Sequence, residues 1–259
     1  MLTIGFIGTG NMGGALARAA AKAEGNRLLL HNRSPEKAQK LASELHAEVT
    51  DQAGALEADF VFLGVKPQML EQLFSGLRPL LAERDQKPVL VSMAAVTSIR
   101  QIREMAGCAL PIIRIMPNTP VAIGQGITLY ACSPEVSEET EETFLRAMAA
   151  SGRFIRSEEK YIDAGACISG CGPAFVDLFV EALADGGVAC GLPRAMALEL
   201  AAAMTAGAAG LILKTGKHPA QLKDEVCSPG GTTIRGVRAL EQGAFRSAAM
   251  EAVLAAYGK

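Results

Sequence analysis

Gly8-Thr9-Gly10-Asn11-Met12-Gly13 constrains the fold of this chain more than any other stretch. The loop follows an apolar run, residues 2–7, and opens a helical pattern, and in that setting each glycine has a mechanical reason. Gly8 permits a tight turn, Gly10 lets a phosphate reach the backbone, and Gly13 lets helix and strand pack closely. To about residue 150, short apolar runs alternate with helical patterns. Strands are expected at 2–7, 28–31, 59–65, 88–93, 112–116 and 126–131. Helices are expected at 13–23, 35–45, 68–81, 99–105 and 137–150. Runs that are apolar throughout, alternating with helices, imply a doubly wound and mostly parallel sheet covered on both faces, that is, a Rossmann-type α/β domain.

After Ser151 one short β-like piece (153–155) precedes a wholly helical pattern. Helices are expected at 158–169, then after a break at Gly170-Cys171-Gly172-Pro173 through Cys190, from Pro193 to about Lys214, and at 219–226, 232–241 and 244–257. The division is therefore expected near residue 152: residues 1–152 bind a dinucleotide, and residues 153–259 form an all-helical domain for dimerisation and substrate. The helix from Pro193 is apolar nearly all round, and a half this small cannot wrap it. Ala203, Gly207 and Gly210 let another helix approach closely, so a second copy is expected to cover it in an obligate homodimer. Its uncharged run, residues 200–213, is short of a membrane span and suits a fully buried helix.

Lys and Arg number 25 against 27 Asp and Glu, for a net charge of −2 with 20% charged residues. Neither nucleic acid nor an anionic membrane is an expected partner; a small molecule is. The six cysteines form no Cys-x-x-Cys pair and sit in apolar or helical contexts. They read as reduced thiols, which with the absence of a basic leader makes a cytoplasmic setting the expectation. Cys167 and Cys171 share a helical spacing without a histidine nearby, so no metal site is expected.

The end of the second strand bears on which dinucleotide is bound. An NAD site usually places a carboxylate there, whereas this chain reads His31-Asn32-Arg33-Ser34-Pro35. A guanidinium, a hydroxyl and a helix start suit a 2′-phosphate, so NADP(H) is expected, with NAD(H) as the alternative. The cofactor set is Gly8, Gly10, Asn11, Met12 and Gly13 at the pyrophosphate and Asn32, Arg33 and Ser34 at the ribose phosphate. Val65, Lys66, Pro67, Ala94 and Asn118, at later strand ends, complete it.

Near the C-terminus, Ser228-Pro229-Gly230-Gly231-Thr232-Thr233-Ile234 lies between two helical patterns. The glycines let a ligand approach the backbone, and the threonines open a helix whose free N–H groups attract a small anion. Hydride transfer to a carbonyl usually recruits a lysine, histidine or tyrosine as proton donor. From Tyr161 to Leu213 there is neither lysine nor histidine, and Arg194 is the sole cation. A cyclic imine, which arrives protonated, needs less acid assistance than a ketone. Two other readings stay open at this point: a different NADPH-linked imine or ketone reductase, and a module that senses NADPH without turnover.

Several motifs occur in one order along essentially the whole chain: the Gly8 to Gly13 loop, Val65-Lys66-Pro67, Met116-Pro117-Asn118-Thr119-Pro120, Ser169-Gly170-Cys171-Gly172-Pro173-Ala174, and Leu222-Lys223-Asp224 before the Ser228 turn. Together they resemble the pyrroline-5-carboxylate reductases. The resemblance implies NAD(P)H-dependent reduction of 1-pyrroline-5-carboxylate to L-proline, the last step of proline synthesis, by a Rossmann-type domain followed by a helical dimerisation domain. It implies that Gly230, Gly231, Thr232 and Thr233 hold the substrate carboxylate, with the Thr233 hydroxyl at the ring nitrogen as the catalytic group. It further implies that this loop faces the nicotinamide of a partner subunit, within a homodimer or higher oligomer. Cys171 stands where the family often has serine or alanine, and Gly216 where some relatives carry a glutamate, so no glutamate role is carried over.

Overall fold

The computed structural model describes residues 1–258. By its contacts the chain divides into two units, Met1–Gly170 and Cys171–Lys259. The first runs β1 (Leu2–Ile7), α1 (Asn11–Ala20), β2 (Asn26–His31), α2 (Pro35–Leu45), β3 (Glu48–Val49), α3 (Gln52–Ala55), β4 (Phe60–Leu63) and α4 (Leu70–Ala82). It continues through β5 (Val89–Ser92), α5 (Ile99–Ala106), β6 (Ile112–Met116), β7 (Gly126–Cys132), α6 (Glu138–Ala147), β8 (Gly152–Arg156) and α7 (Ile162–Ser169). The strand order is β3-β2-β1-β4-β5-β6-β7-β8, parallel except where β6 meets β7.

Successive side chains of a strand alternate between sheet faces, and both faces here are covered. Phe6 and Phe62 stack at 4.6 Å on one face, with Phe144 of α6 beside them. Ile7, Val61 and Leu63 meet Phe74 and Leu77 of α4 on the other. All these side chains are essentially sealed from solvent, and full burial stabilises by about 1.5–3 kcal/mol each. Charged side chains are buried there too, Arg114 the most deeply. Arg114 of β6 is 3% exposed and pairs with Glu159 (3.3 Å) and Asp163, while Glu159 also accepts the N–H of Ile99 (2.6 Å). This network ties the start of α7 to β6 and α5. At its other end, α7 is held by the amide of Asn118, which donates to the carbonyl of Ser169 at 2.9 Å. After β8, which ends at Arg156, the described residues are helical, and α7 stays with the sheet, its Gly165 packed against Leu129 of β7.

The second unit consists of α8 (Gly172–Ala189), α9 (Arg194–Thr215), α10 (Pro219–Glu225), α11 (Thr232–Gln242) and α12 (Phe245–Tyr257). The helices α8 and α9 pack through Gly187 against Ala197, with an Arg194–Asp185 pair at 2.6 Å. Phe179 and Phe245 lie 5.7 Å apart. The expectation that residues 200–213 are fully buried is not met within one chain. Only Ala197 and Ala201 of α9 are buried, and Leu200, Met204, Leu211 and Leu213 stand open. Nor does the uncharged run set the length of the helix: Glu159–Ala189 and Arg194–Thr215 are both long and apolar enough to cross a membrane by length and composition alone.

Candidate active site

The dinucleotide end is assembled at the C-terminal edge of the parallel strands. Register brings Ile7 level with both His31 and Leu63, so the turns after β1, β2 and β4 lie side by side. Gly8 has φ +103° and donates to the carbonyl of His31 at 2.8 Å, and Gly64 donates to that of Ile7 at 2.8 Å. A Cβ on Gly13 or Gly64 would collide with the carbonyl oxygen of Gly8. These three glycines are therefore required by the close approach of three backbone segments. At Gly10, by contrast, a Cβ would meet nothing within 4 Å. Its openness is available to a ligand, and Gly10 is also the residue from which α1 starts without a side-chain cap.

The first turn of α1 carries no acidic residue, so its N–H groups and positive dipole end are uncompensated. The Thr9 hydroxyl is buried without a hydrogen-bond partner. Beside it a cavity of about 270 Å³ is lined by Thr9, Gly10, Asn11, Lys37, Lys40 and the Arg18–Glu44 ion pair (2.6 Å). Asn32 clamps this region: its Oδ1 accepts from Thr9 N–H (3.2 Å) and its Nδ2 donates to the carbonyl of Ser34 (3.2 Å). Ser34 precedes α2, with Pro35 in the first turn, and its hydroxyl makes no capping bond. Arg33 is exposed, and no ion pair within the described residues engages it. An orphaned hydroxyl, an open glycine, two uncapped helix starts and an unpaired guanidinium fit a phosphorylated dinucleotide.

Val65, Lys66 and Pro67 follow β4, with Lys66 exposed. Ala94, after β5, is buried, and its N–H reaches the Ser92 hydroxyl at 3.4 Å. Asn118, after β6, is 7% exposed, and its side chain is engaged by the fold: Nδ2 holds Ser169, and Oδ1 accepts from Ile127 N–H at 2.9 Å. Met12 is half-buried and packs on the core. Sequence reasoning missed Thr9, Gly64, Lys37 and Lys40. Gly64 has a legible signal, a glycine directly after an apolar strand, whereas the others depend on tertiary placement.

In the helical unit, Gly230 has φ +68°, a conformation that favours glycine, and Gly231 would carry a Cβ into the Ser228 hydroxyl. The N–H of Gly231 donates to the carbonyl of Ser228 at 3.0 Å, which closes the turn. The free donors are consequently those that follow: the N–H groups of Thr232 and Thr233 and their two hydroxyls, all exposed. No side chain caps α11, and no acidic residue occupies its first turn. Nearby, Lys223 pairs with Asp224 at 2.8 Å, and that hydrogen bond raises the lysine above its ordinary value. The start of α11 thus keeps donors without an internal acceptor.

A family model described as pyrroline-5-carboxylate reductase dimerisation matches residues 159–259, and one described as NADP oxidoreductase coenzyme F420-dependent matches residues 3–96. A pyrroline-5-carboxylate reductase of Glycine max is 41% identical, over 98% of this chain and 93% of the plant protein. The chain belongs to the pyrroline-5-carboxylate reductase family. Solved members agree in fold. The Plasmodium falciparum pyrroline carboxylate reductase, crystallised with NADP bound, superposes with a TM-score of 0.87 at 30% identity, covering 99% of this chain and 96% of that one. The Coxiella burnetii pyrroline-5-carboxylate reductase gives 0.89 at 32% identity, with the same coverage. The fold expectation, a Rossmann-type sheet followed by a helical dimerisation domain of this reductase family, is thereby met.

Proposed function

We propose that this reductase converts 1-pyrroline-5-carboxylate to L-proline with NADPH, the closing step of proline synthesis. The observation that carries the reading is the start of α11, where two threonine hydroxyls and two backbone N–H groups face solvent with no internal acceptor. A carboxylate on a small ring fits that donor set. When bound, the cofactor supplies the hydride. Gly8, Gly10, Asn11, Met12 and Gly13 hold its pyrophosphate against α1, with the Thr9 hydroxyl as a further donor. Arg33, Ser34 and the start of α2, positioned by Asn32, hold the 2′-phosphate; NAD(H), lacking it, serves as the poorer alternative.

Val65, Lys66, Pro67, Ala94 and Asn118 form the edge on the nicotinamide side, Asn118 by shaping its loop. Thr232 and Thr233 hold the substrate carboxylate through their N–H groups, with Gly230 and Gly231 setting the turn. The Thr233 hydroxyl hydrogen-bonds the ring nitrogen. Because the cyclic iminium arrives protonated, its carbon gains the hydride and its nitrogen becomes the amine without a dedicated acid. This accounts for a stretch from Tyr161 to Leu213 whose sole cation is Arg194.

We assign dinucleotide binding to residues 1–152 and substrate and dimer contacts to residues 153–259. A second copy covers the apolar faces of α8 and α9, where Gly207 and Gly210 have nothing within 4 Å of a built Cβ, giving a homodimer or higher homo-oligomer. Six cysteines without a Cys-x-x-Cys pair accord with a cytoplasmic setting. The test is NADPH consumption with pyrroline-5-carboxylate beside a panel of acyclic ketoacids and a binding-only control. Turnover of the cyclic imine alone is expected. Turnover of ketoacids in preference, or binding without turnover, contradicts the reading.

A further inference from the structure

Three non-glycine residues among those described have a positive φ: His46, Val96 and Ala244. Two have local reasons. His46 ends α2, its N–H bonded to the carbonyl of Ala42, and Ala244 joins α11 to α12. Val96 is different. It is β-branched, so φ +57° sets its side chain against its own backbone, and at 80% exposure no packing compensates.

Its neighbours force the conformation. On one side Ala94 is buried beside Ser92, and the Thr97 hydroxyl donates to the carbonyl of Ala95 at 3.2 Å. On the other, Ser98 and Gln101 form a reciprocal capping box at the start of α5, and Glu159 holds Ile99. Strain so maintained, with an apolar group left in solvent, characterises a residue whose partner is a ligand.

The position of Val96 indicates which ligand. The strand order reverses beside β1, and a dinucleotide lies across that crevice at the C-terminal strand ends. With the pyrophosphate at the β1 turn and Arg33 after β2 taking the ribose phosphate, the nicotinamide half extends over the ends of β4 and β5. Val96 lies in the turn leaving β5. We infer that Val96 is a cofactor-contact residue whose strained turn holds its isopropyl group as an apolar wall for the nicotinamide half of NADPH. This rests on the cofactor reading above and extends it to a residue outside the predicted set.

The test pairs stability with binding, using Val96→Asn, which accepts a left-handed backbone, and Val96→Gly. Relief of strain raises the Tm of the cofactor-free chain by about 2–4 °C. Loss of the wall weakens NADPH binding by about 10-fold. Binding of 2′,5′-ADP, which has the phosphorylated adenosine but no nicotinamide, stays unchanged. A Tm that fails to rise in either variant overturns the inference, as does unchanged NADPH affinity or equal weakening of both ligands. A wild-type chain that binds neither ligand contradicts the underlying cofactor reading instead.

Discussion

Phenylalanines of the sheet unit and leucines of the helical unit meet opposite fates in one chain. Phe6, Phe62 and Phe74 are sealed between sheet and helices, whereas Leu178 is 67% and Leu213 72% exposed. The first unit completes its core from its own sequence. The second holds helices together through small residues such as Gly187 and Ala197 and leaves its large side chains outward. Isolated exposed apolar residues need no explanation, but a whole helix of them does. The difference teaches that fold and assembly are separable problems here: the sheet closes its core within one chain, whereas the helical unit leaves its large apolar side chains uncovered within one chain.

The largest effect that could break this contrast comes from Met204→Asp with Leu211→Asp on α9. On a solitary chain, two exposed substitutions change stability by about 0.5 kcal/mol or less each. At a dimer interface they bury unpaired carboxylates, so light scattering should find monomers, with turnover reduced about 100-fold or more. A variant that remains dimeric and active removes the argument for a covered α9. Phe62→Ala probes the other side. It should cost about 3–5 kcal/mol in denaturant unfolding while light scattering finds its assembly unchanged, unlike the α9 variant.

Smaller effects sharpen the division of chemistry. Thr233→Ala should lower kcat by at most about 10²–10³-fold while leaving NADPH affinity intact, and unchanged turnover shows that position alone suffices. Arg33→Asp should raise KM for NADPH by about 10-fold and that for NADH much less; equal effects on the two cofactors contradict the 2′-phosphate assignment. The smallest effect is alkaline and belongs to the sheet interior. Burial, reinforced by the Glu141 carboxylate, pushes the Cys132 thiol from its ordinary 9.0 up to about 12. The folded chain thus holds this proton more tightly than the unfolded chain. That contribution is complete below pH about 9 and is lost as pH rises toward about 12. Cys132→Ala should flatten the fall of Tm across that range.

Legibility followed the range of the interactions. α2 and β6 appear at their expected bounds, since Ser34-Pro35 marks the helix start and an isoleucine-rich run marks the strand. Two elements, β3 and α3, escaped because two residues and one helical turn carry no period. The break before α8 is narrower than Gly170-Cys171-Gly172-Pro173 implies, because proline is tolerated in a first helical turn and α8 begins at Gly172. The antiparallel course of β7 had no signature, as a short apolar run reads alike in either direction. Arg114, an arginine inside an isoleucine-rich strand, was a visible anomaly, but its partners lie far along the chain. The same distance hid the clamping role of Asn32 and the two bonds of Asn118. The glycine loop and the Gly-Gly-Thr-Thr helix start were legible because backbone geometry alone defines them.

The most direct measurement of the central claim is the stoichiometry of the reaction, with NADPH consumption and proline formation followed in the same sample of purified protein and pyrroline-5-carboxylate. The account predicts one proline for each NADPH oxidised. Proline absent while NADPH is consumed, or no NADPH consumed by a protein that binds it, contradicts the account.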